Sequence, residues 1–342
     1  MSTASQANEQ GPPRAEGNFI VAEDVAANDR DDRDSVISEA PSSTTSIASS
    51  ILEYRQIRGR TYHSDRFTTN YHVPNDDQQL ESEELCHHVI TNLLDDQLFV
   101  APLEIEKIHR VLDVGTGSGI WAIEFADRFP NTSVIGTDIS PCQPQWLPPN
   151  VRFEIEDATL EWTWDTDYFD FIHIRYIFGA FQNWAGLFKK AYRCCAPGGW
   201  VQSVECDVDF RSDDGSTELE PVLASYGELF RQCAKVLDRP CLVQETQQQA
   251  FDEAGFVEQK AARYKIPIGP WAKDVKLADV GRVAKAALEN DFEGYTQMIW
   301  HNVLQRPANE YNAWLADLRK AIRNPKVHSY MMVHVMYGRK LG

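Results

Sequence analysis

The sequence predicts an α/β fold in which a mostly parallel β-sheet is flanked by helices. Between residues 110 and 205, short apolar segments that fit buried strands alternate with segments of helical periodicity. These strands show no regular alternation of apolar and polar residues, as expected when helices cover both faces of a sheet. A glycine-rich turn, Gly115 to Gly119, joins the first strand to the first helix.

The elements of this fold follow in order along the chain. We expect strands at Arg110–Val114, Ser133–Thr137, Val151–Ile155, Phe169–Ile174 and Trp200–Glu205. Helices are expected at Ile120–Arg128 and at Trp184–Cys195, the second stopped by Pro197-Gly198-Gly199. Two further helices are expected at about Leu219–Val236 and Thr246–Ala254, followed by a strand at Val257–Ile266. A mostly helical segment, Asp274–Leu318, precedes a last strand in the sequence MMVHVMYGRK.

The chain before the sheet has two parts of different composition. Residues 1–50 have few large apolar side chains and contain the run PSSTTSIASS, which predicts a disordered acidic Ser/Thr-rich tail, either controlled by phosphorylation or simply solvated. Residues 51–100 form a predicted N-terminal helical arm, in which an aromatic and basic stretch leads to a helix capped by Asp76 or Asp77. The domain proper is expected at 101–342, with a helical insertion at about 270–328.

Charge and cysteine content restrict the partners of the chain. A net charge of −18, from 33 basic and 51 acidic residues in 342, disfavours direct binding to nucleic acid. Seven scattered cysteines fit free thiols in a reducing compartment, and no Cys or His spacing predicts a metal site. No apolar run approaches the about 20 residues that a membrane span needs. We therefore expect an intracellular protein without a transmembrane segment.

The segment VLDVGTGSG, Val111 to Gly119, carries the strongest functional signal. A strand that enters a glycine loop and continues as a helix brings backbone close to a ligand, where a Cβ would collide or forbid the dihedral angles. The dinucleotide pattern G-x-G-x-x-G requires a third glycine at position 120, where this chain has Ile120. The loop therefore disfavours NAD and FAD, and suits an aminoacid-sulfonium-nucleoside, which has no pyrophosphate.

Acidic residues at the ends of the next two strands extend this signal. Asp138 ends the second strand, where a carboxylate can accept hydrogen bonds from both ribose hydroxyls. Asp157 follows the third strand and is placed to reach an adenine amino group. Each aspartate alone also fits a turn or a helix cap. Together with the loop they predict a nucleoside site.

The order of these segments resembles the class I S-adenosylmethionine methyltransferases. The segments that carry the resemblance are VLDVGTGSGIWAIEFADRFP, VIGTDISPCQP, VRFEIEDA, FDFIHIRY and APGGW. A narrower resemblance, to the fungal LaeA-like group, adds GRTYH, the VPNDD turn, an HH pair, IPIGPW and VHSYMMVHVMYGRK. It covers about residues 55–341.

The resemblance implies a Rossmann-like sheet of seven strands, the last one antiparallel, and S-adenosylmethionine as the cofactor. The implied cofactor contacts are Asp113, Gly115, Thr116, Gly117, Gly119, Asp138, Ile139, Asp157 and Ala158. It also implies a regulator of fungal secondary metabolism and development that works in cytoplasm and nucleus with velvet-type partners. A biosynthetic small-molecule methyltransferase and a cofactor-binding scaffold without turnover remain alternatives.

Catalytic residues are less well defined by the sequence. Methyl transfer from a sulfonium depends mainly on alignment and on exclusion of water, and a general base is needed only when the acceptor arrives protonated. Histidines that fit such a base, and equally fit structural or surface roles, are His173, His63, His88 and its neighbour His87. The fourth strand's end usually faces the acceptor in this fold class, and the predicted pocket residues are Tyr62, Arg175 and Tyr176.

Overall fold

The computed structural model describes residues 53–67, 71–242 and 246–342. The predicted tail, residues 1–50, lies outside these residues. The described part begins with a β-hairpin of β1 (Tyr54–Ile57) and β2 (Arg60–Ser64). Arg58 and Gly59 join the strands with positive φ angles of 51° and 81°, as a two-residue hairpin turn requires.

Helix α1 (Asp77–Leu93) follows the hairpin. Its N-cap is Asp76, whose carboxylate accepts a hydrogen bond from the backbone N–H of Gln79 at 3.2 Å. The predicted helical arm therefore consists of a hairpin and then a helix. The division of the chain at residue 100 stays a prediction.

The rest of the described chain alternates strands and helices. The strands are β3 (Arg110–Val114), β4 (Ser133–Asp138), β5 (Val151–Ile155), β6 (Phe169–Arg175), β7 (Cys195–Cys206), β8 (Val257–Pro267) and β9 (Tyr330–Arg339). The helices are α2 (Ile120–Arg128), α3 (Trp184–Cys194), α4 (Val222–Leu237), α5 (Gln247–Ala254), α6 (Val275–Met298) and α7 (Ala308–Arg323). No helix of the described residues is long and apolar enough to cross a membrane.

The seven strands β3 to β9 form one sheet in the order β5-β4-β3-β6-β7-β9-β8. Strands β3 to β7 pair in parallel, and β9 runs antiparallel between β7 and β8. The predicted seven-stranded, mostly parallel sheet with an antiparallel last strand is confirmed. Strands β4 and β5 lie on one side of β3, and β6 and β7 lie on its other side. The strand order therefore reverses between β3 and β6, and a cleft opens at the carboxyl ends of these two strands.

Strand β7 differs most from the expectation. It begins at Cys195 rather than at Trp200, because Cys195 already pairs with Phe169 of β6. Helix α3 consequently ends at Cys194, before the predicted stop at Pro197-Gly198-Gly199.

Helices cover both faces of the sheet, as the apolar strands predicted. On one face, Trp121 and Phe125 of α2 are fully buried and pack near Phe171 of β6. On the other face, Phe188 of α3 packs against Phe251 of α5 with ring centroids 4.3 Å apart. This two-sided burial explains why the strands do not alternate in polarity.

A group of three charges joins the hairpin to α1 and α6. Arg60 donates hydrogen bonds to Asp76 at 2.5 and 2.6 Å and to Asp291 at 2.7 Å through two of its nitrogens. Asp291 is fully buried at a kink in α6, with φ −144°, and accepts the backbone N–H of Gly294 at 2.8 Å. The segment around 270–328 is therefore fastened to the N-terminal hairpin by a buried ion pair.

Candidate cofactor site and acceptor chamber

The glycine loop that follows β3 can be built only from glycine at its key positions. Gly115, Gly117 and Gly119 have φ angles of 68°, 56° and 82°, in the left-handed region. A Cβ on Gly119 would overlap the ring of Phe153, and one on Gly117 would overlap the carboxylate of Glu83. The side chains of Phe153 and Glu83 therefore pack directly against the loop backbone, which only glycine allows.

Asp113 and Thr116 stiffen this loop. The buried carboxylate of Asp113 accepts hydrogen bonds from Thr116 Oγ1 at 2.6 Å and from His173 Nδ1 at 2.8 Å. The imidazole of His173 stacks on Trp121, with ring centroids 3.8 Å apart, and burial lowers its pKa. His173 is therefore neutral and holds the Asp113 carboxylate in place.

Asp138 stands at the end of β4, beside the loop. Its carboxylate accepts the backbone N–H groups of Gly117 and Ser140, both at 2.9 Å. Burial raises the pKa of Asp138 to about 6, so that it is mainly ionised at neutral pH. An ionised carboxylate in this position can accept hydrogen bonds from ribose hydroxyls.

Asp157 offers an unused acceptor at the next strand end. Its Oδ1 accepts the backbone N–H and the hydroxyl of Thr159 at 2.9 and 2.6 Å. Its Oδ2 is buried and has no hydrogen-bond partner among the described residues. Since an unsatisfied buried acceptor costs about 1–3 kcal/mol, this atom fits a ligand donor such as the adenine amino group.

All the predicted cofactor residues except Gly119 line one cavity of about 230 Å³. We call the part formed by Asp113 to Ser118, Asp138, Ile139, Asp157 and Ala158 the cofactor half. The glycine cradle, the Asp138 carboxylate and the unpaired Asp157 oxygen fit the chemistry of S-adenosylmethionine. Gly119 instead lies at the N-terminus of α2 and provides the turn.

The remaining cavity wall is mainly apolar, and we call it the acceptor chamber. It is formed by side chains of α1, α4, β7 to β9, α6 and the connecting loops, including Cys86, Tyr226, Ile268, Leu288, Tyr295 and Met331. The thiol of Cys86 lies 3.9 Å from the hydroxyl of Tyr295. Burial raises the pKa of Tyr226 and of Tyr295, so their hydroxyls stay protonated and can orient an acceptor by hydrogen bonds.

Of the predicted substrate-pocket residues, the structure brings Arg175 and Tyr176 to the cavity wall. Tyr62 is fully buried in the hairpin and does not line the cavity, and its hydroxyl has no partner among the described residues. Tyr62 sits elsewhere because the turn at Arg58-Gly59 folds β2 back on β1.

The predicted histidine bases do not line the cavity. His63 accepts from Arg55 Nη2 at 2.8 Å and donates to the carbonyl of Ser64 at 2.9 Å. His88 is exposed on α1, and His173 is engaged with Asp113. A catalytic role for any of them stays a prediction.

Among the described residues, His87, His88 and Glu124 form one group with the spacing of metal ligands. The sequence indicated no such group, because Glu124 comes from α2. His87 Nδ1 accepts from Arg175 at 3.0 Å, and Nε2 faces Glu124 at 3.3 Å. Hydrogen bonds thus explain the geometry, and the absence of a metal stays a prediction.

Sequence reasoning missed Glu83, which also lines the cavity. It lies on the face of α1 that carries Gln79 and Cys86, at the spacing of one helical stripe. Burial and the negative charge of Asp138 raise the pKa of Glu83 to about 8. A polar residue on an inward stripe was the signal that could have found it.

A family model described as a methyltransferase domain matches residues 83–259. Methyltransferase pytC of Aspergillus terreus is 32% identical over 90% of this chain and 95% of its own length. The secondary metabolism regulator LAE1 of Cochliobolus heterostrophus is 30% identical, over 82% of this chain and 93% of its own.

The chain belongs to the LaeA-like family of S-adenosylmethionine-dependent methyltransferases. Another relative is the protein-methionine methyltransferase laeA of Emericella nidulans, 28% identical over 84% of this chain and 77% of its own length. The chain is thus similar to one protein named as a regulator of secondary metabolism and to two named as methyltransferases.

Proposed function

We propose that this methyltransferase controls secondary metabolism and development in a fungus, within complexes with velvet-type proteins in cytoplasm and nucleus. The name of the LAE1 relative, a secondary metabolism regulator that matches 82% of this chain, supports the role in secondary metabolism. A net charge of −18 favours protein partners with basic surfaces over nucleic acid.

The continuity of the cavity is the observation that supports enzymatic methyl transfer. The cofactor half and the acceptor chamber belong to one space, so a bound acceptor can lie against the cofactor. When bound, S-adenosylmethionine supplies a methyl group on a sulfonium. Asp138 and Asp157 hold the nucleoside end, and the apolar chamber excludes water from the acceptor. A scaffold that bound the cofactor only to stay ordered would need no second chamber.

A gene replacement tests the regulatory role. We expect deletion to change the metabolite profile and sporulation, and Asp138→Ala to reproduce the deletion because it removes the carboxylate for the ribose. Asp127→Ala, an exposed aspartate on α2, is the matched control and should behave as wild type. An unchanged profile after deletion contradicts regulation. A folded Asp138→Ala protein that cannot bind S-adenosylhomocysteine but keeps the wild-type profile supports the scaffold alternative.

The apolar wall of the acceptor chamber favours a second candidate, a biosynthetic enzyme that methylates one small molecule. An apolar acceptor with a ring fits walls made by residues such as Tyr226, Ile268 and Leu288. The purified protein would be incubated with methyl-labelled cofactor and a metabolite extract. Label in one small molecule supports this candidate, whereas label only in protein contradicts it.

A further inference from the structure

Two ionisable side chains, one acidic and one basic, line the cavity near the glycine loop. Glu83 comes from α1, Arg175 ends β6, and both are partly buried. Among the described residues, neither side chain lies within 4.0 Å of an opposite charge, although each feels the charge of the other. Because an unpaired charge away from water is costly, a ligand that supplies both counter-charges would stabilise the charged forms of Glu83 and Arg175.

Glu83 lies directly over the loop. A Cβ on Gly117 would overlap its carboxylate, which accepts hydrogen bonds from the backbone N–H of Ser118 and from Gln79 at 3.4 Å. The charge with the largest effect on the pKa of Glu83 is that of Asp138, which has the same sign. Two carboxylates beside one loop, neither paired with a cation among the described residues, make a site that attracts a positively charged group.

Arg175 provides the opposite charge. Its Nη2 donates to His87 Nδ1 at 3.0 Å, which uses one of the five N–H groups of the guanidinium. Burial and the charge of Arg175 lower the pKa of His87 to about 2, so this imidazole is neutral. The carboxylate of Asp113 is already shared by Thr116 and His173. The guanidinium therefore keeps capacity for an anionic ligand.

We propose that Glu83 and Arg175 bind the amino-acid end of the cofactor, Glu83 taking the α-ammonium and Arg175 the α-carboxylate. Asp157 and Asp138 account for the adenine and the ribose, and the α-ammonium and α-carboxylate of the amino-acid end are opposite in charge to the ionised forms of Glu83 and Arg175. Helix α1, outside the predicted domain 101–342, is then part of the cofactor site. The inference concerns cofactor binding and does not depend on the acceptor or the regulatory role.

Binding of truncated ligands to the full chain tests each contact separately. Titration calorimetry would compare S-adenosylhomocysteine with 5′-methylthioadenosine, which lacks the amino-acid end, and with decarboxylated S-adenosylmethionine, which lacks the carboxylate. We expect Glu83→Gln to lower the affinity for S-adenosylhomocysteine by about tenfold to a hundredfold, the range of a charge-assisted hydrogen bond. The affinity for 5′-methylthioadenosine should stay unchanged. Arg175→Met should weaken S-adenosylhomocysteine but not the decarboxylated ligand.

The matched control is Glu84→Gln, which removes the same charge from the exposed side of α1. It should leave all three affinities unchanged. Thermal melts of the free proteins establish that each variant is folded.

Proton release gives an independent measurement. The titratable groups around Glu83 are Tyr71, Cys86, Asp138, Cys142, Arg175 and Tyr295. Among them Asp138, with a pKa of about 6, is already mainly ionised at pH 7, whereas Glu83, at about 8, is mainly protonated. An α-ammonium would ionise Glu83. Binding of S-adenosylhomocysteine at pH 7 should therefore release close to one proton in wild type and almost none in Glu83→Gln.

Three results would overturn the proposal. One is an equal loss of affinity for S-adenosylhomocysteine and 5′-methylthioadenosine in Glu83→Gln, which means that Glu83 acts only through the fold. Another is an unchanged affinity of Glu83→Gln for S-adenosylhomocysteine together with a lower kcat, which means that Glu83 acts as a base for the acceptor. The third is proton release that is the same in wild type and variant across buffers of different ionisation enthalpy.

Discussion

The cofactor half and the acceptor chamber share one cavity, but the lining residues of the first are close together in the sequence and those of the second are far apart. The cofactor half comes mainly from consecutive strand ends, between Asp113 and Ala158, and much of it is backbone. The acceptor chamber gathers side chains that extend from Cys86 to Met331. The first half therefore depends on loop geometry, and the second depends on how distant elements pack. A methyltransferase of this kind can change its acceptor without altering the way it binds its cofactor.

The largest effect is expected at the loop. Gly119→Ala places a Cβ against the ring of Phe153 at a φ of 82°, so strain and overlap should destabilise the protein by at least about 2 kcal/mol. We expect S-adenosylhomocysteine affinity to fall more than about a hundredfold, since relief of the strain and overlap at this turn displaces the neighbouring loop backbone that lines the cofactor half. Calorimetry and thermal unfolding measure the two losses.

The control for this change is Gly215→Ala. Gly215 also has a positive φ, 73°, but nothing lies within 4 Å of the added Cβ. It should cost about 1 kcal/mol of stability and leave cofactor affinity unchanged. Equal cofactor affinities in the two variants would show that the loop does not define the cofactor half.

The second effect concerns the walls of the acceptor chamber. Arg60→Met leaves the fully buried carboxylate of Asp291 without its cation, which should cost about 3–5 kcal/mol of unfolding free energy. Denaturant titration measures the loss. Arg282→Met, which breaks an exposed pair with Asp279, should change stability by less than about 1 kcal/mol. Similar costs for both variants would contradict a fastening role for Arg60.

A third change separates the two halves directly. Ala284 of α6 is buried and lines the cavity, so Ala284→Leu should partly fill the acceptor chamber. We expect kcat/KM for the acceptor to fall at least about tenfold, while S-adenosylhomocysteine affinity stays within about twofold. Ala286→Leu adds the same side chain on the exposed side of α6 and should change neither. A parallel loss of cofactor affinity in Ala284→Leu would mean that the halves are not separable.

The smallest effect is a dependence of stability on pH. Burial raises the pKa of Glu205 to about 8, and within the described part of the chain its carboxylate accepts hydrogen bonds from the backbone N–H groups of Ile177 and Phe178 alone. Because the folded pKa lies above the ordinary value, its contribution to stability is complete at low pH and is lost as pH rises through 8. The melting temperature should fall between pH 5 and 8.5, by about 2–4 °C for each kcal/mol lost.

Glu205→Gln should remove its share of this pH dependence and leave the share of Glu83, whose pKa is also raised to about 8, and calorimetric scans can follow the difference. A melting temperature that rises with pH in wild type, or the same slope in the variant, would contradict the assignment. The pKa of Asp138 is also raised, so Asp138 adds to the fall of melting temperature with pH. Bound S-adenosylhomocysteine should reduce the contribution of Asp138 and leave that of Glu205 unchanged.

Sequence reasoning worked where a residue's role is local. The strand, loop and helix around Gly115 were predicted to the residue, and Asp138 and Asp157 were found because they stand at strand ends. The catalytic role of the histidines stays a prediction, because their surroundings are set by residues far away in the sequence. His63 and His173 carry the right chemistry for a base, but the chain turns them towards Arg55 and Asp113 rather than towards the cavity.

By itself the sequence determined the α/β class, the order of the strands along the chain and the strand ends that line the cofactor half, because each depends on short-range patterns of apolar residues, glycines and acids. The tertiary structure alone decided that Glu83 and Arg175 face one cavity and that Arg60 reaches Asp291. These contacts join residues separated by up to 231 positions, and no local pattern records which side chains will meet once the sheet and helices have packed.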